Sequence, residues 1–414
     1  MLKYIEQLED AEKGDALQTP DSPTAFVQNV SRRGFIKTVG GAGGLVVAMQ
    51  LLPGTARAFE PYQTGGAGMP HGTVTNPHVF VAIAGDGLVT LTAHRSEMGT
   101  GSRTSVPLVL ADELEADWDR IKIVQAEGDE PKYGNQDTDG SRSLRHYIQP
   151  MRQIGASVRV MLETAAAQRW GVSPQQVRAR HHQLHLLDES GRETGMRFGF
   201  GEVAQDAMKL DVPVFADLTF KTEDQFRYIG RGETPITDLR DITMGTALYG
   251  ADIALEGMKF AVVARPPVVG GKAKSVDDSE ALKVPGVEKV VEIAGSMPPA
   301  KFAPLGGYAV VANNTWAAMK GRDALKIEWD DGPHGTYDTK EFTQQMRDTA
   351  QTPGKVMRKV GDADKAFADA AKVIKADYFQ PHMQHAQMEP LVAVADYKDG
   401  KLEIWAPVQS PYKT

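Results

Sequence analysis

His94-Arg95-Ser96-Glu97-Met98-Gly99-Thr100-Gly101-Ser102-Arg103-Thr104 is the stretch from which the rest of the chain can be read. An apolar run from Leu88 to His94 leads into it, and a helical pattern from Thr104 to Glu115 leaves it. A Gly-x-Gly turn between a strand and a helix lets bare backbone N–H groups face an anion at the helix N-terminus. Thr100, Ser102 and Thr104 add hydroxyls, and Arg103 adds positive charge. Alone, such a pair of glycines is as readily a tight turn with ordinary capping. A second turn of the same make, Thr138-Asp139-Gly140-Ser141-Arg142-Ser143, stands before the longest helical pattern, with Ser141 as the expected N-cap. Two hydroxyl-and-glycine turns, each opening a helix, favour a shared anion site.

Working outward, Val79 to Ala84 and Leu88 to His94 flank Gly85-Asp86-Gly87 and read as a hairpin. Ile121 to Gln125 reads as a strand. From Ser141 to Trp170, Leu144, Ile148, Met151, Ile154, Val158, Leu162 and Ala165 recur at three- and four-residue steps and predict one buried stripe, interrupted at Pro150 and stopped by Gly171. An irregular polar connector follows from Pro213 to Thr237. Beyond it, Phe260 to Ala264, Val287 to Ile293, Tyr308 to Ala312 and Ala324 to Trp329 read as strands, with helices at Ser279 to Lys283 and Thr315 to Gly321. Residues 332–360 read as a surface excursion. A helix from Ala363 to Ala371 then precedes strands at Val373 to Phe379, Leu391 to Asp396 and Leu402 to Trp405.

The composition narrows the function. The 414 residues suit about two or three domains. Basic residues number 46 against 54 acidic, a net charge of −8, which argues against a general nucleic-acid binder. No run of about 18 apolar residues occurs, so a multi-span membrane protein is excluded. Cysteine is absent, so the chain offers no disulfide, no thiolate-held iron–sulfur cluster and no cysteine nucleophile. No Gly-x-Ser-x-Gly elbow, P-loop or His-Glu-x-x-His helix is present.

The N-terminus reads as an address. Ser31-Arg32-Arg33-Gly34-Phe35-Ile36-Lys37, a glycine-diluted apolar stretch and Ala56-Arg57-Ala58 have the order of a twin-arginine export signal over residues 1–58. That route carries folded proteins to the periplasm. Two histidine groups remain. His382, His385 and Glu389 could share a helical face and ligate a metal, but Pro381 and Pro390 argue for a loop. His181, His182 and His185 read as a solvated polar patch.

Taken together and in order, these segments resemble the molybdopterin-binding large subunits of the xanthine dehydrogenase/aldehyde oxidase superfamily. The nearest branch is that of the isoquinoline 1-oxidoreductase beta subunit and periplasmic aldehyde dehydrogenases. The resemblance is carried by His94 to Gly101, Ala111-Asp112-Glu113-Leu114, Thr138 to Ser143, Gly155-Ala156, Ala165-Ala166-Ala167, Met258 to Gly271 with Arg265-Pro266-Pro267, His385 to Pro390 and Trp405-Ala406-Pro407-Val408-Gln409-Ser410-Pro411. Two positions depart from it: Thr100 stands where glutamine is frequent, and Asp139 where a second glycine is usual.

The resemblance implies an α+β fold: the N-terminal part of a molybdopterin-binding domain over 76–212, an inserted α/β hammerhead domain over 238–332, and the start of a second molybdopterin-binding unit over 363–414. It implies cofactor contacts at Met98, Gly99, Thr100, Gly101, Thr138, Gly140 and Ser141, with molybdopterin cytosine dinucleotide as the cofactor. The implied reaction hydroxylates an aldehyde or N-heterocycle with oxygen from water. Electrons would pass to a small 2Fe–2S subunit and on to an acceptor such as a cytochrome c. The family's Gly-Gly-Gly-Phe-Gly loop and its glutamate base have no counterpart among these 414 residues, so no catalytic residue is expected here and the chain alone is expected to be inactive. The competing readings are an inactive remnant and a periplasmic metal-binding protein.

Overall fold

The computed structural model describes residues 72–296, 299–300 and 303–414. The expected export signal, with Arg32 and Arg33, lies outside the described residues. The chain divides into two compact units. One holds the described residues up to Gly250 together with Val392–Thr414, and the other is Ala251–Leu391.

In the first unit, Asn76 caps a helical turn by accepting the His78 N–H, and Pro77 takes the first helical position. The run expected as a strand from Val79 therefore begins as α1 (Pro77–Phe80) and only then becomes β1 (Val81–Ile83). β1 pairs antiparallel with β2 (Val89–Ala93), Val81 opposite Leu91. The chain crosses over through α2 (Ser102–Leu114) and returns as β3 (Ile121–Gln125), parallel to β2. A short α3 (Glu130–Tyr133) leads to the second turn and to α4 (Arg142–Trp170).

α4 lies against α2, and Gly155 sets how closely. A Cβ there would stand 2.5 Å from the Leu110 carbonyl oxygen and 2.8 Å from the Glu113 Cβ, so no larger residue fits this approach. The predicted stripe is buried from Met151 through Ile154, Leu162 and Ala165, but Leu144 is exposed, because the first turn of α4 projects beyond the core. The helix runs on through Pro150 and ends at Gly171 in the left-handed conformation. Ser141 is also left-handed (φ 55°) and makes no side-chain cap, so the expected capping role is not taken.

A three-stranded meander that the sequence pattern did not announce follows: β4 (Val177–Arg180), β5 (Gln183–Leu187) and β6 (Glu193–Gly199). α5 (Phe200–Ala207) then packs back on the core. His182 corrects the solvated-patch expectation. It is buried, its Nε2 donates to the Gly87 carbonyl (2.8 Å), its Nδ1 accepts the Asp117 N–H (3.0 Å), and its ring stacks on Phe200. Burial holds its pKa below the usual histidine value.

The connector over 213–237 is irregular, as expected, yet it is tied down. The Asp112 carboxylate, fully buried, accepts from Lys221 Nζ (2.6 Å) and from the backbone N–H groups of Arg227, Tyr228 and Ile229. Burial pushes this carboxyl up, but the Ile229 N–H, Lys221 and their neighbours outweigh it and hold it below the usual range. Glu113 pairs with Arg152 (3.0 Å) and accepts the Lys221 N–H. Asp112-Glu113 in the family-like segment is thus structural cement between α2 and the connector. α6 (Leu239–Met244) completes this stretch.

The second unit has an antiparallel sheet in the order β7 (Phe260–Ala264), β10 (Leu305–Ala312), β9 (Val287–Gly295). A separate pair joins β8 (Lys272–Asp277), which was not expected, to β11 (Lys326–Asp330). The helix expected at Ser279 is a single turn at Ala281–Lys283. α7 (Thr315–Ala324) seats Ala317 and Ala318 on Ala312, and it includes Ala324, which therefore does not begin the strand. The excursion after Gly332 contains a helix of its own, α8 (Thr339–Ala350), capped by Asp338. α9 (Ala363–Ala368) follows, but Val373 to Phe379 forms no strand: Ile374 and Tyr378 are exposed, and nothing described pairs with them. A strand needs neighbours as well as an apolar pattern. The Val392–Thr414 part of the first unit holds the hairpin β12 (Val394–Lys398) and β13 (Lys401–Trp405), on which Tyr397 and Leu402 are exposed.

Candidate functional site

β2 delivers His94 and Arg95 into the core of the first unit, 0% and 1% exposed. The His94 ring lies between Phe80 and Tyr147, and neither ring nitrogen has a hydrogen-bond partner among the described residues. Burial, with Arg95 beside it, holds His94 neutral and its pKa well below 6.5. Arg95 donates through Nη1 to Asn135, both at the carbonyl (2.7 Å) and at Oδ1 (2.8 Å), and through Nε to Ser143 Oγ (3.1 Å). Its Nη2 is buried with no hydrogen-bond partner among the described residues.

The first turn then leaves the core. Met98, Gly99 and Thr100 are exposed, and Gly101 (φ 75°) starts α2. The expectation that this turn offers its N–H groups freely needs correction. Glu97 takes three of them: Oε1 accepts from Met98 (2.9 Å) and Gly101 (3.0 Å), and Oε2 accepts from Arg103 (2.9 Å). Nothing in the described residues accepts from the N–H groups of Gly99 and Thr100.

The second turn is bound to the first. Thr138, buried, donates from Oγ1 to the Ser96 carbonyl (2.7 Å), which also accepts from Ser102 Oγ (3.0 Å). Gly140 and Ser141 are exposed, again with N–H groups to which no described acceptor is matched. Asp139 does not oppose an anion with a free charge, because Arg142 Nε donates to its Oδ1 (2.7 Å).

A third segment, Gln409 to Lys413, closes on the second turn. The Gln409 carbonyl accepts the Thr138 N–H (3.1 Å), and Gln409 Nε2 donates to the Thr138 carbonyl (2.9 Å). Lys413 pairs with Asp137, whose carboxyl burial would raise, but which Lys413, Ser410 and Asn135 together hold below the usual range. Gly128 lies so close to Pro411 that a Cβ would be 2.7 Å from its carbonyl oxygen.

The structure therefore joins the turn that carries Met98, Gly99, Thr100 and Gly101 to the turn that carries Thr138, Gly140 and Ser141 through the Ser96 carbonyl, with Arg95 reaching Ser143 of the second. Arg95, Glu97, Asn135 and Gln409 were not among the residues singled out for the site. Backbone N–H groups on two joined turns, with a buried arginine holding an unused N–H, suit a phosphate-bearing ligand. The donor set thus fits the anionic part of a pterin cofactor. The metal alternative fares otherwise: among the described residues no three histidine, aspartate or glutamate side chains come together as a metal site, and His382 and His385 are exposed.

A mixed α and β protein with two hydrogen-bonded glycine turns is the class that fold and site define. Within that class the lineage is clear. Two family profiles, each described as a molybdopterin cofactor-binding domain, match residues 54–254 and 348–414, together more than half of the chain. The chain belongs to the molybdopterin-binding domains of the xanthine dehydrogenase/aldehyde oxidase family. It is 30% identical, over 91% of its length, to 48% of a membrane-bound aldehyde dehydrogenase (pyrroloquinoline-quinone) of Gluconacetobacter polyoxogenes. It is 28% identical, over 92% of its length, to 52% of the isoquinoline 1-oxidoreductase subunit beta of Brevundimonas diminuta. The chain thus spans about half the length of these curated relatives. Among solved structures, quinoline 2-oxidoreductase from Pseudomonas putida 86 matches 41% of this chain and 26% of its own, at 21% identity and a TM-score of 0.30.

Proposed function

We propose that this chain is the molybdenum-cofactor-binding part of an oxidoreductase that hydroxylates aldehydes or N-heterocycles with water. The observation that carries the reading is the junction at the Ser96 carbonyl, where Thr138 and Ser102 meet and the two turns become one site. The bound cofactor supplies the two-electron acceptor and the activated oxygen. This chain's residues supply the grip: N–H groups of Gly99, Thr100, Gly140 and Ser141 toward the ligand, and Arg95 as the buried charge behind them.

The cofactor is molybdopterin cytosine dinucleotide. The partners are a small 2Fe–2S subunit, which takes the electrons that a chain without cysteine cannot hold on clusters, and a cytochrome c beyond it. The destination is the periplasm, reached folded by the twin-arginine route; the motif order over residues 1–58 supports this. The names of the relatives, an aldehyde dehydrogenase and an isoquinoline 1-oxidoreductase, support the two substrate classes.

The test is to purify the complete protein with its partners, assay molybdenum and the nucleotide released by acid, and follow aldehyde or isoquinoline oxidation in heavy-oxygen water. One molybdenum and one cytidine nucleotide per chain, with the label in the product, is expected. Pyrroloquinoline quinone without molybdenum would overturn the reading.

A further inference from the structure

The turn after β2 has the sequence of an open anion nest, but its own chain has filled it. Both oxygens of Glu97 are engaged, by the N–H groups of Met98, Gly101 and Arg103 at 2.9–3.0 Å. These include N–H groups at the start of α2, where the helix dipole is positive, so the carboxylate uses the charge preference that an external anion would need. The loop is thereby closed on itself from 97 to 103. Its exposed tip is Gly99 and Thr100, whose N–H groups have no acceptor among the described residues. Across the junction the balance is reversed. There, among the described residues, Arg95 is buried with a spare N–H, Asp139 is neutralised by Arg142, and the Gly140 and Ser141 N–H groups have no acceptor.

We propose that Glu97 is a positioning residue for the cofactor. Its carboxylate presets the first turn so that Gly99 and Thr100 face outward as neutral donors, and its negative charge assigns the anionic group of the ligand to the second turn. The first turn thus fixes the orientation of the ligand and the second holds its charge. This inference rests on the reading of the site as a molybdopterin site.

The test compares the complete protein with its Glu97→Ala and Glu97→Gln variants, reading cofactor content and site-resolved amide exchange. In Glu97→Ala, faster exchange is expected at Met98, Gly101 and Arg103 with Leu110 and Ile154 still protected. Bound molybdopterin should fall roughly tenfold, the scale of losing charge-assisted hydrogen bonds. Glu97→Gln, which keeps one acceptor oxygen, should fall between it and wild type. Formate present during loading should partly restore Glu97→Ala, because a free carboxylate can re-enter the vacated nest; a purely structural defect would not respond.

Should Glu97→Ala misfold, Glu97→Gln and its exchange pattern decide the matter. Wild-type loading despite lost protection, or tighter loading, would overturn the proposal, the latter by making Glu97 a competitor of the ligand. A wild-type protein that carries no molybdopterin would overturn the underlying reading instead.

Discussion

The two turns at the site reach similar shapes by opposite means. The turn at 97–103 is held by a residue within it: every partner of Glu97 lies one, four or six positions away. The turn at 138–143 is held from outside, by Gln409 at 271 positions from Thr138, Lys413 at 276 from Asp137, and Arg95 at 48 from Ser143. The first can form as soon as α2 does. The second exists only once the end of the chain has come back, because long-range closure must precede its hydrogen bonds. A site built from one local and one remote turn therefore becomes competent only when the whole first unit is assembled.

The contrast can be broken at its root. Both turns open helices that cross at Gly155, so Gly155→Val should displace α2 from α4 and destabilise the unit by about 3 kcal/mol or more, seen as a lowered urea midpoint and loss of both turns together.

Acid should act on the same core. His94 is neutral in the fold with a pKa well below 6.5, so the unfolded chain binds its proton first as pH falls. The stability it contributes is complete above 6.5 and is lost as pH drops from there towards the lowered folded value. Urea unfolding at about pH 7.5 and about pH 5.5 should show this loss, and His94→Leu should flatten it.

Smaller changes should separate the turns. Gln409→Ala removes the donor to the Thr138 carbonyl and should cost about 1–2 kcal/mol, with faster amide exchange at residues 138–141 and none at 98–103. Ser141→Gly relieves a left-handed serine and should stabilise the fold by about 0.5 kcal/mol in thermal or urea unfolding, again without touching the first turn.

The same division explains what the sequence disclosed. The helical stripe of α4, the hairpin around Gly85-Asp86-Gly87 and the two glycine turns are local patterns, and each stands where the periodicity or turn chemistry puts it. Glu97 is also local, but a carboxylate beside a Gly-x-Gly reads as neutral context until its oxygens are seen on the N–H groups. Its signal was the spacing: an acid four residues before the N-cap glycine can reach forward over the turn to the first N–H groups of the helix. Gln409 stood in a segment that carries the family resemblance, but nothing local to it announced its bonds to Thr138.

The meander β4–β6 was missed although Val177 to Arg180 alternates buried and exposed, because four residues are too few to separate a strand from a loop. At Val373 to Phe379 the reverse happened: the apolar residues were there, and no strand among the described residues pairs with them. The turn between β4 and β5 hid His182, whose burial depends on Gly87 and Asp117, far away in sequence.

The central claim is that the two turns grip one ligand together. Amide hydrogen exchange on the complete protein, with and without its molybdenum cofactor, tests it most directly. Gly99 and Thr100 on one turn and Gly140 and Ser141 on the other should gain protection in concert on loading; protection of one turn alone, or of neither, would contradict the account.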